Sequence, residues 1–316
     1  MSSPGRENGR TMKTIRVSAP AKVNLILKVL DRRPDGYHNL WSLMQTVALE
    51  DELHLRLRAD SDGLRLSCDE PTLPTDGRNL VARAVAAVLE RAGLSVSLDI
   101  HIAKRIPMGG GLGGGSSDAA AAIVGLNRLL GLGWSADEMV AVGQQIGSDV
   151  PFFFFAPCAV VRGRGEAVSP LALAGQRWVV LVNPGFPIET RWAYERLAGS
   201  RQGTDPLPDA LGRIAGQSRL SWDEVIPLME NDFEAALAPT HGVLGAIKAE
   251  LMAQGAEAAL LSGSGATVFG IFRDERTAVR ARSAMDQVEG RRAYVGRAGT
   301  APLSCSEAPS PTFSVG

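Results

Sequence analysis

"PMGGGLGGGSSDAAAA", residues 107–122, places six glycines within seven positions and then runs directly into alanines. Glycine loses more conformational freedom on folding than any other residue, so this concentration costs stability and implies a compensating use. The stretch is entered from a clean alternation: Val96, Leu98, Ile100 and Ile102 against Ser95, Ser97, Asp99 and His101, the period of a half-buried strand. It leaves into a helix that reaches about Leu130. Strand, glycine loop and helix in that order leave few readings.

A flexible linker is followed by polar spacers, not by a strong helix. A Walker A loop closes on Gly-Lys-Ser/Thr, whereas Ser116, Ser117 and Asp118 follow these glycines with no lysine among them. Gly109, Gly111 and Gly114 formally match GxGxxG, but that fingerprint also needs an acidic residue about twenty positions on, at the end of a second strand. Asp137 and Glu138 stand near that distance and instead follow Ser135, a helix cap. An NAD-dependent oxidoreductase is therefore a rival that lacks its second signal. A phosphate nest satisfies the pattern best. Glycines let successive N–H groups turn towards an anion, and the helix start adds free amides and the positive end of its dipole. Ser116 and Ser117 offer hydroxyls to phosphate or Mg²⁺, and a loop this wide suits a polyphosphate.

The rest of the chain sets the frame. With 316 residues, 45% of them hydrophobic, it is a soluble globular protein with room for two domains. A net charge of −1 argues against a nucleic-acid partner, which needs a basic surface. Cys68, Cys158 and Cys305 are scattered and odd in number, giving neither a disulfide framework nor a metal pattern, so a reducing, cytoplasmic setting is expected. The four histidines are likewise too dispersed for a metal site. The longest apolar run, residues 150–161, contains Pro157 and is too short to cross a bilayer, so no membrane association is expected. Residues 1–12 lack the apolar core of a secretory signal and read as a disordered leader, with Met12 as an alternative start. Residues 301–316, rich in Pro and Ser, read as a flexible tail.

Further elements follow from pattern. Leu53, Leu55 and Leu57 alternate as a strand, and residues 79–92 form a helix closed by Gly93. Ser135 caps a helix ending at Gly147. Phe152 to Phe155, then residues 159–161 and "WVVLVNPG" from Trp178, read as buried strands. A helix over 189–197 and a polar loop to about Leu220 come next, then one or two helices broken near Pro239. A hairpin around Gly263 and Gly265, a helix from Asp274 and a strand near residues 293–295 complete the chain. Without a regular βα repeat this is α+β in two domains, 13–170 and 171–300.

"PMGGGLGGGSSDAA" resembles the phosphate-binding motif of the GHMP small-molecule kinases. Three more stretches agree in the expected order: "APAKVNLILKV" from Ala19 with "RPDGYHNL" from Arg33, "IGSDVPFF" from Ile146, and "LLSGSGATVF" ending at Phe269. The resemblance spans about Ala19 to Phe272 and implies a GHMP-kinase fold. Its N-terminal ATP-binding domain is ribosomal protein S5 domain 2-like, its C-terminal domain is ferredoxin-like, and the active site lies in the cleft between them.

The resemblance also implies the chemistry. Asp149 is the general base, and Lys22 stabilises the alkoxide and the transferring phosphoryl group. ATP, with Mg²⁺ whose ligands stay unassigned, is implied to contact Asn79 through adenine and Lys104 through phosphate. The remaining implied ATP contacts are Pro107, Met108, Gly109, Gly110, Gly111, Leu112, Gly113, Gly114, Gly115, Ser116 and Ser117. "DGYHNL" resembles the branch of the family whose acceptor is a cytidine diphosphate-linked methylerythritol, made for non-mevalonate isoprenoid precursors. Tyr37 then stacks on the base, His38 reads its edge and Tyr194 covers the opposite face, while Asn24 and Thr190 hold the acceptor beside its reacting hydroxyl. Branches acting on homoserine, mevalonate or a sugar are the nearest alternative, and their substrates have no base to stack. A non-catalytic nucleotide-binding regulator is disfavoured because both Lys22 and Asp149 are present. Asp118 either points away from the triphosphate or helps to hold Mg²⁺; both remain open here.

Overall fold

A computed structural model describes residues 14–59, 63–200, 206–300 and 302–308, so the leader and Met12 lie outside it. Two long antiparallel strands, β1 (Thr14–Arg32) and β2 (His38–Leu57), form its spine. β3 (Leu64–Cys68) leads to α1 (Leu80–Ala92) and β4 (Leu98–Ala103), and the glycine loop opens α2 (Gly114–Leu130). α3 (Ala136–Ile146), α4 (Val150–Phe155), β5 (Cys158–Gly163) and β6 (Ala167–Pro170) follow. Helices α1, α2, α3 and α4 bury Val85, Ile123, Val142 and Phe153 against Val17, Leu55 and Ile100 of the sheet.

The second half begins with β7 (Ala172–Ala174), β8 (Trp178–Asn183), α5 (Thr190–Ser200), α6 (Asp209–Ile214), β9 (Arg219–Ser221) and α7 (Trp222–Val225). It continues through β10 (Glu230–Asn231), α8 (Phe233–Leu237), α9 (Gly242–Ala253), β11 (Ala258–Leu261) and β12 (Val268–Phe272). α10 (Glu275–Asp286), β13 (Arg292–Arg297) and β14 (Cys305–Ala308) end the described chain. Among the described residues one sheet has eight strands, with the central order β10-β1-β2-β4-β3, and a second has four, β11-β12-β8-β13. The second sheet is covered on both faces. Val180 and Val182 pack on α5, α8, α9 and α10, while Val179 and Leu181 enter a core shared with Val23, Leu25, Trp41 and Leu43 of the first sheet. That double coverage is why "WVVLVN" reads as a continuous apolar run.

The decisive local feature is a bulge in the β1–β2 ladder between Pro20 and Ala21. Before it, Ile15, Val17 and Ala19 face the helices; beyond it, Ala21, Val23 and Leu25 turn into the shared core. The strand thus swaps its faces, and Lys22 and Asn24 come to lie on the side of α2 and the glycine loop. Bulges re-aim side chains in this way beside active sites.

Several expectations change. Phe152 to Phe155 form a helix, not a core strand: Pro151 in its first turn presets the backbone, and Phe152 and Phe153 are fully buried. Asp149 therefore precedes a helix rather than a strand. The strand expected from Ser95 starts only at Leu98. Cys305–Ala308, placed in the tail, pairs antiparallel with Thr14 to Val17 and extends the first sheet. The caps Gly93 and Ser135 fall where expected, Ser135 forming a capping box with Glu138, while Asn79, expected as the first helical residue, is instead the N-cap of α1. Among the described residues no helix is long and apolar enough to cross a membrane.

Because Leu181 is fully buried in the core that joins both sheets, Leu181→Ala is expected to cost about 2–5 kcal/mol. Urea titration should show both halves of the molecule losing structure together at a lower midpoint.

Candidate active site

The swapped face of β1 delivers a lysine into the interior. Lys22 is 4% exposed, and its Nζ donates to Asn24 Oδ1 at 2.7 Å and to the Gly111 carbonyl at 3.0 Å. It also lies 3.4 Å from Asp149 Oδ2. Asn24 is oriented in turn: its Nδ2 donates to Ser42 Oγ at 2.8 Å, and that hydroxyl donates to the Ile26 carbonyl at 2.7 Å. Asp149 stands at the start of α4 without a side-chain capping bond, and its carboxyl is 30% exposed to the cleft.

The glycine loop is held by its carbonyls. Gly110 O accepts from Thr267 N at 3.2 Å and Leu112 O from Lys22 N at 2.9 Å. Gly111 O accepts from both Lys22 Nζ and Ser262 Oγ, each at 3.0 Å. These bonds pin the loop to the protein through its carbonyls while its residues line the cleft. Gly111 has φ +76°, and a Cβ there would lie 2.0 Å from the Ser262 carbonyl oxygen. Both the turn and the close approach of the two loops require glycine at this position.

Loop, lysine and carboxylate line one cavity of about 1280 Å³. That exceeds the ~1,000 Å³ upper range of single-ligand sites, leaving room for two substrates side by side. Pro107 to Ser116 all line it. Ser117 does not: it is fully buried beneath the loop, and its N–H donates to the Gly113 carbonyl at 2.9 Å. Asn79 is also absent from the lining. Its Oδ1 caps α1 by accepting from Val81 N and its Nδ2 donates to the Pro74 carbonyl, so both ends of the amide are engaged in the fold. Its neighbours Leu73 and Leu80 supply an apolar wall instead.

Lys104 reaches the cavity, yet its ammonium is gripped by the Asp51 carboxylate and by Asp118 Oδ2 at 2.7 Å. Burial opposes the charge on Lys104, but the two carboxylates outweigh it and raise its pKa. Burial raises that of Asp118, with Lys104 opposing and Asp51 reinforcing. Asp118 thus sits behind the loop facing Lys104 and does not line the cavity.

At the far wall Tyr37 is 54% exposed, with the Arg164 guanidinium 3.9 Å from its ring centre. His38 and Tyr194 stack on each other, centroids 4.9 Å apart and planes 15° off parallel, while Phe233 meets Tyr194 edge-on. His38, which follows Tyr37 in the sequence, thus covers one face of Tyr194. Thr190 Oγ1 lies 3.0 Å from Ser264 Oγ on the same cavity wall. Burial, and then the charge of Arg32, lowers the pKa of His38, with Asp31 opposing. Burial, aided by Asp149, pushes the Tyr194 phenol up to about 12. Leu73, Leu80, Arg164 and Ser264 are cavity residues that sequence reasoning missed; Ser264, inside the motif "LLSGSGATVF", and Arg164, in the turn "RGRGE", carry local hints.

Among the described residues no group of three or more His, Cys, Asp or Glu side chains could hold a metal ion.

Comparison with known proteins agrees with this geometry. Residues 79–156 match the GHMP kinases N terminal domain and residues 209–289 match the GHMP kinases C terminal domain. The chain is 42% identical over 279 residues to a 4-diphosphocytidyl-2-C-methyl-D-erythritol kinase of Geobacter sp. strain M21, covering 88% of this chain and 97% of the relative. A crystal structure of 4-(cytidine 5'-diphospho)-2C-methyl-D-erythritol kinase superposes with a TM-score of 0.71 at 33% identity, covering 90% of this chain and all (100%) of the other. Homoserine kinase from Cytophaga hutchinsonii shares the fold, with a TM-score of 0.68 at 20% identity over 97% of this chain and 100% of its own. With both family domains in order around a loop, lysine and carboxylate that share one cleft, the chain belongs to the GHMP kinases and is a small-molecule kinase.

Proposed function

We propose that the protein transfers the γ-phosphoryl group of ATP to the 2-hydroxyl of 4-diphosphocytidyl-2-C-methyl-D-erythritol, a step in non-mevalonate isoprenoid-precursor synthesis in the cytoplasm. The observation that carries this reading is the Lys22–Asp149 pair, 3.4 Å apart, between the glycine loop and the Tyr37–His38 wall of one cavity. The relatives' names agree with it.

ATP lies with its phosphates on the amides of Gly109 to Gly115 and the hydroxyl of Ser116, and with its base towards Leu73, Leu80 and Met108. Magnesium supplies charge neutralisation on the phosphates when bound. The acceptor hydroxyl sits beside Asp149, whose carboxylate takes its proton as the oxygen attacks phosphorus. Lys22, fixed by Asn24 and the Gly111 carbonyl, stabilises charge developing on the attacking oxygen and the phosphoryl group. Because its donors are committed before substrate arrives, little reorganisation accompanies transfer. Cytosine stacks on the face of Tyr37 away from Arg164, and neutral His38 accepts from its exocyclic amino group, braced by Tyr194. Thr190 and Asn24 border the acceptor's sugar-alcohol end.

Purified protein given ATP and Mg²⁺ should release ADP with the cytidyl acceptor and not with homoserine or mevalonate. The opposite preference would overturn the acceptor assignment. Asp149→Asn should lower kcat by about 10²- to 10⁴-fold with ATP binding retained; near-normal turnover would remove Asp149 as the base.

His38 has a lowered pKa, so it is neutral at pH 7 and gains a proton only below the ordinary value of 6.5. The imidazolium has no acceptor nitrogen. KM for the acceptor should therefore rise as pH falls through that acid range, and His38→Asn should flatten the rise. Gly111→Ala, with its clash against Ser262, should cut nucleotide affinity by at least roughly tenfold while circular dichroism stays native-like.

A further inference from the structure

Beneath the glycine loop lies a charged cluster that the phosphoryl-transfer scheme leaves unused. Asp51, fully buried in β2, accepts the backbone N–H groups of Arg105 at 2.6 Å and Ile106 at 2.8 Å through Oδ1. Through Oδ2 it holds Lys104 Nζ, which also donates to Asp118 Oδ2 at 2.7 Å. Both carboxylates are 3% exposed or less, and Lys104 is 6% exposed. The second oxygen of Asp118 is buried without a hydrogen-bond partner. One ammonium therefore serves two buried carboxylates.

The position of the cluster matters more than its stability. Asp51 fixes the backbone that enters the loop, Asp118 belongs to the helix that leaves it, and Lys104 ties the two. Lys104 Nζ would lie only 3.1 Å from a Cβ on Gly114, so the ammonium rests against the loop's exit, where it lines the cavity. Its charge is available to an anion there only as far as the two carboxylates release it.

We propose that Asp118 restrains Lys104 and thereby holds nucleotide affinity below what the loop and lysine alone would give, whereas Asp51 is a positioning residue that keeps the loop in register. The two carboxylates thus act with opposite sign. This rests on the reading that the loop binds nucleotide. Asp118→Asn keeps an oxygen acceptor for Lys104 but removes the competing charge. Asp51→Asn weakens the charge-assisted bonds that hold Arg105 and Ile106.

The test is calorimetric titration at about pH 8, above the Asp118 pKa of about 7, so that its carboxylate is charged. The titrant is the magnesium complex of a non-hydrolysable ATP analogue, without acceptor, and thermal unfolding of each variant runs alongside. Asp118→Asn should bind about fivefold more tightly than the unsubstituted protein, with Tm no lower. Asp51→Asn should bind more weakly. In a Lys104→Gln background, Asp118→Asn should give no comparable gain. Unchanged or weaker binding by Asp118→Asn would overturn the proposal, as would a full gain without Lys104. Tighter binding by Asp51→Asn would remove its positioning role. If the unsubstituted protein bound no analogue, the nucleotide reading would fall and the restraint with it.

Discussion

The Gly111 carbonyl is the joint on which the site depends. It accepts Lys22 Nζ from β1 and Ser262 Oγ from the turn between β11 and β12, each at 3.0 Å. One oxygen therefore links the strand that carries Lys22, the glycine loop and the second sheet. It has room for both donors because Gly111 lacks a side chain, which would otherwise meet the Ser262 carbonyl. The neighbouring bonds from Thr267 N to Gly110 O and from Lys22 N to Leu112 O repeat the pattern. A glycine-rich segment that would be mobile in isolation is held by the backbone of two lobes.

The same economy explains a lysine and an asparagine inside an apolar strand. An ammonium buried alone would be strongly unfavourable. Lys22 is satisfied by a carbonyl, an amide oxygen and a carboxylate, so its burial is compensated and its position narrow. The bulge at Pro20 and Ala21 makes this possible, turning two polar side chains towards the loop while the apolar residues beside them enter the core shared by both sheets.

Sequence reasoning succeeded where the chemistry is local. Cap residues act within one turn, so Gly93 and Ser135 marked helix ends that the structure confirms. The sequence made the order of strand, glycine loop and helix legible for the same reason. It failed where a pattern has no period or a partner lies far away. Four phenylalanines in a row have neither helical nor strand period, and only Pro151 and the depth of the core make them a helix. The long extent of β1 and β2 escaped because their bulges break the alternation. The amide of Asn79 can either cap a helix or meet a base, and sequence does not choose between them. The stacking of His38 on Tyr194 and of Arg164 on Tyr37 joins residues more than a hundred positions apart, with nothing local to announce it.

If the proposed function holds, one hydroxyl meets one phosphoryl group between Lys22 and Asp149, and Tyr37 with His38 selects a cytidyl substrate. Phosphorus-31 NMR of the reaction of ATP and Mg²⁺ with 4-diphosphocytidyl-2-C-methyl-D-erythritol tests both at once. Transfer to the 2-hydroxyl gives a new phosphomonoester resonance assigned to the 2-position, with the acceptor's diphosphate signals retained and ADP appearing in equal amount. A phosphomonoester at another hydroxyl, or ADP formed with phosphate released to water, would contradict it.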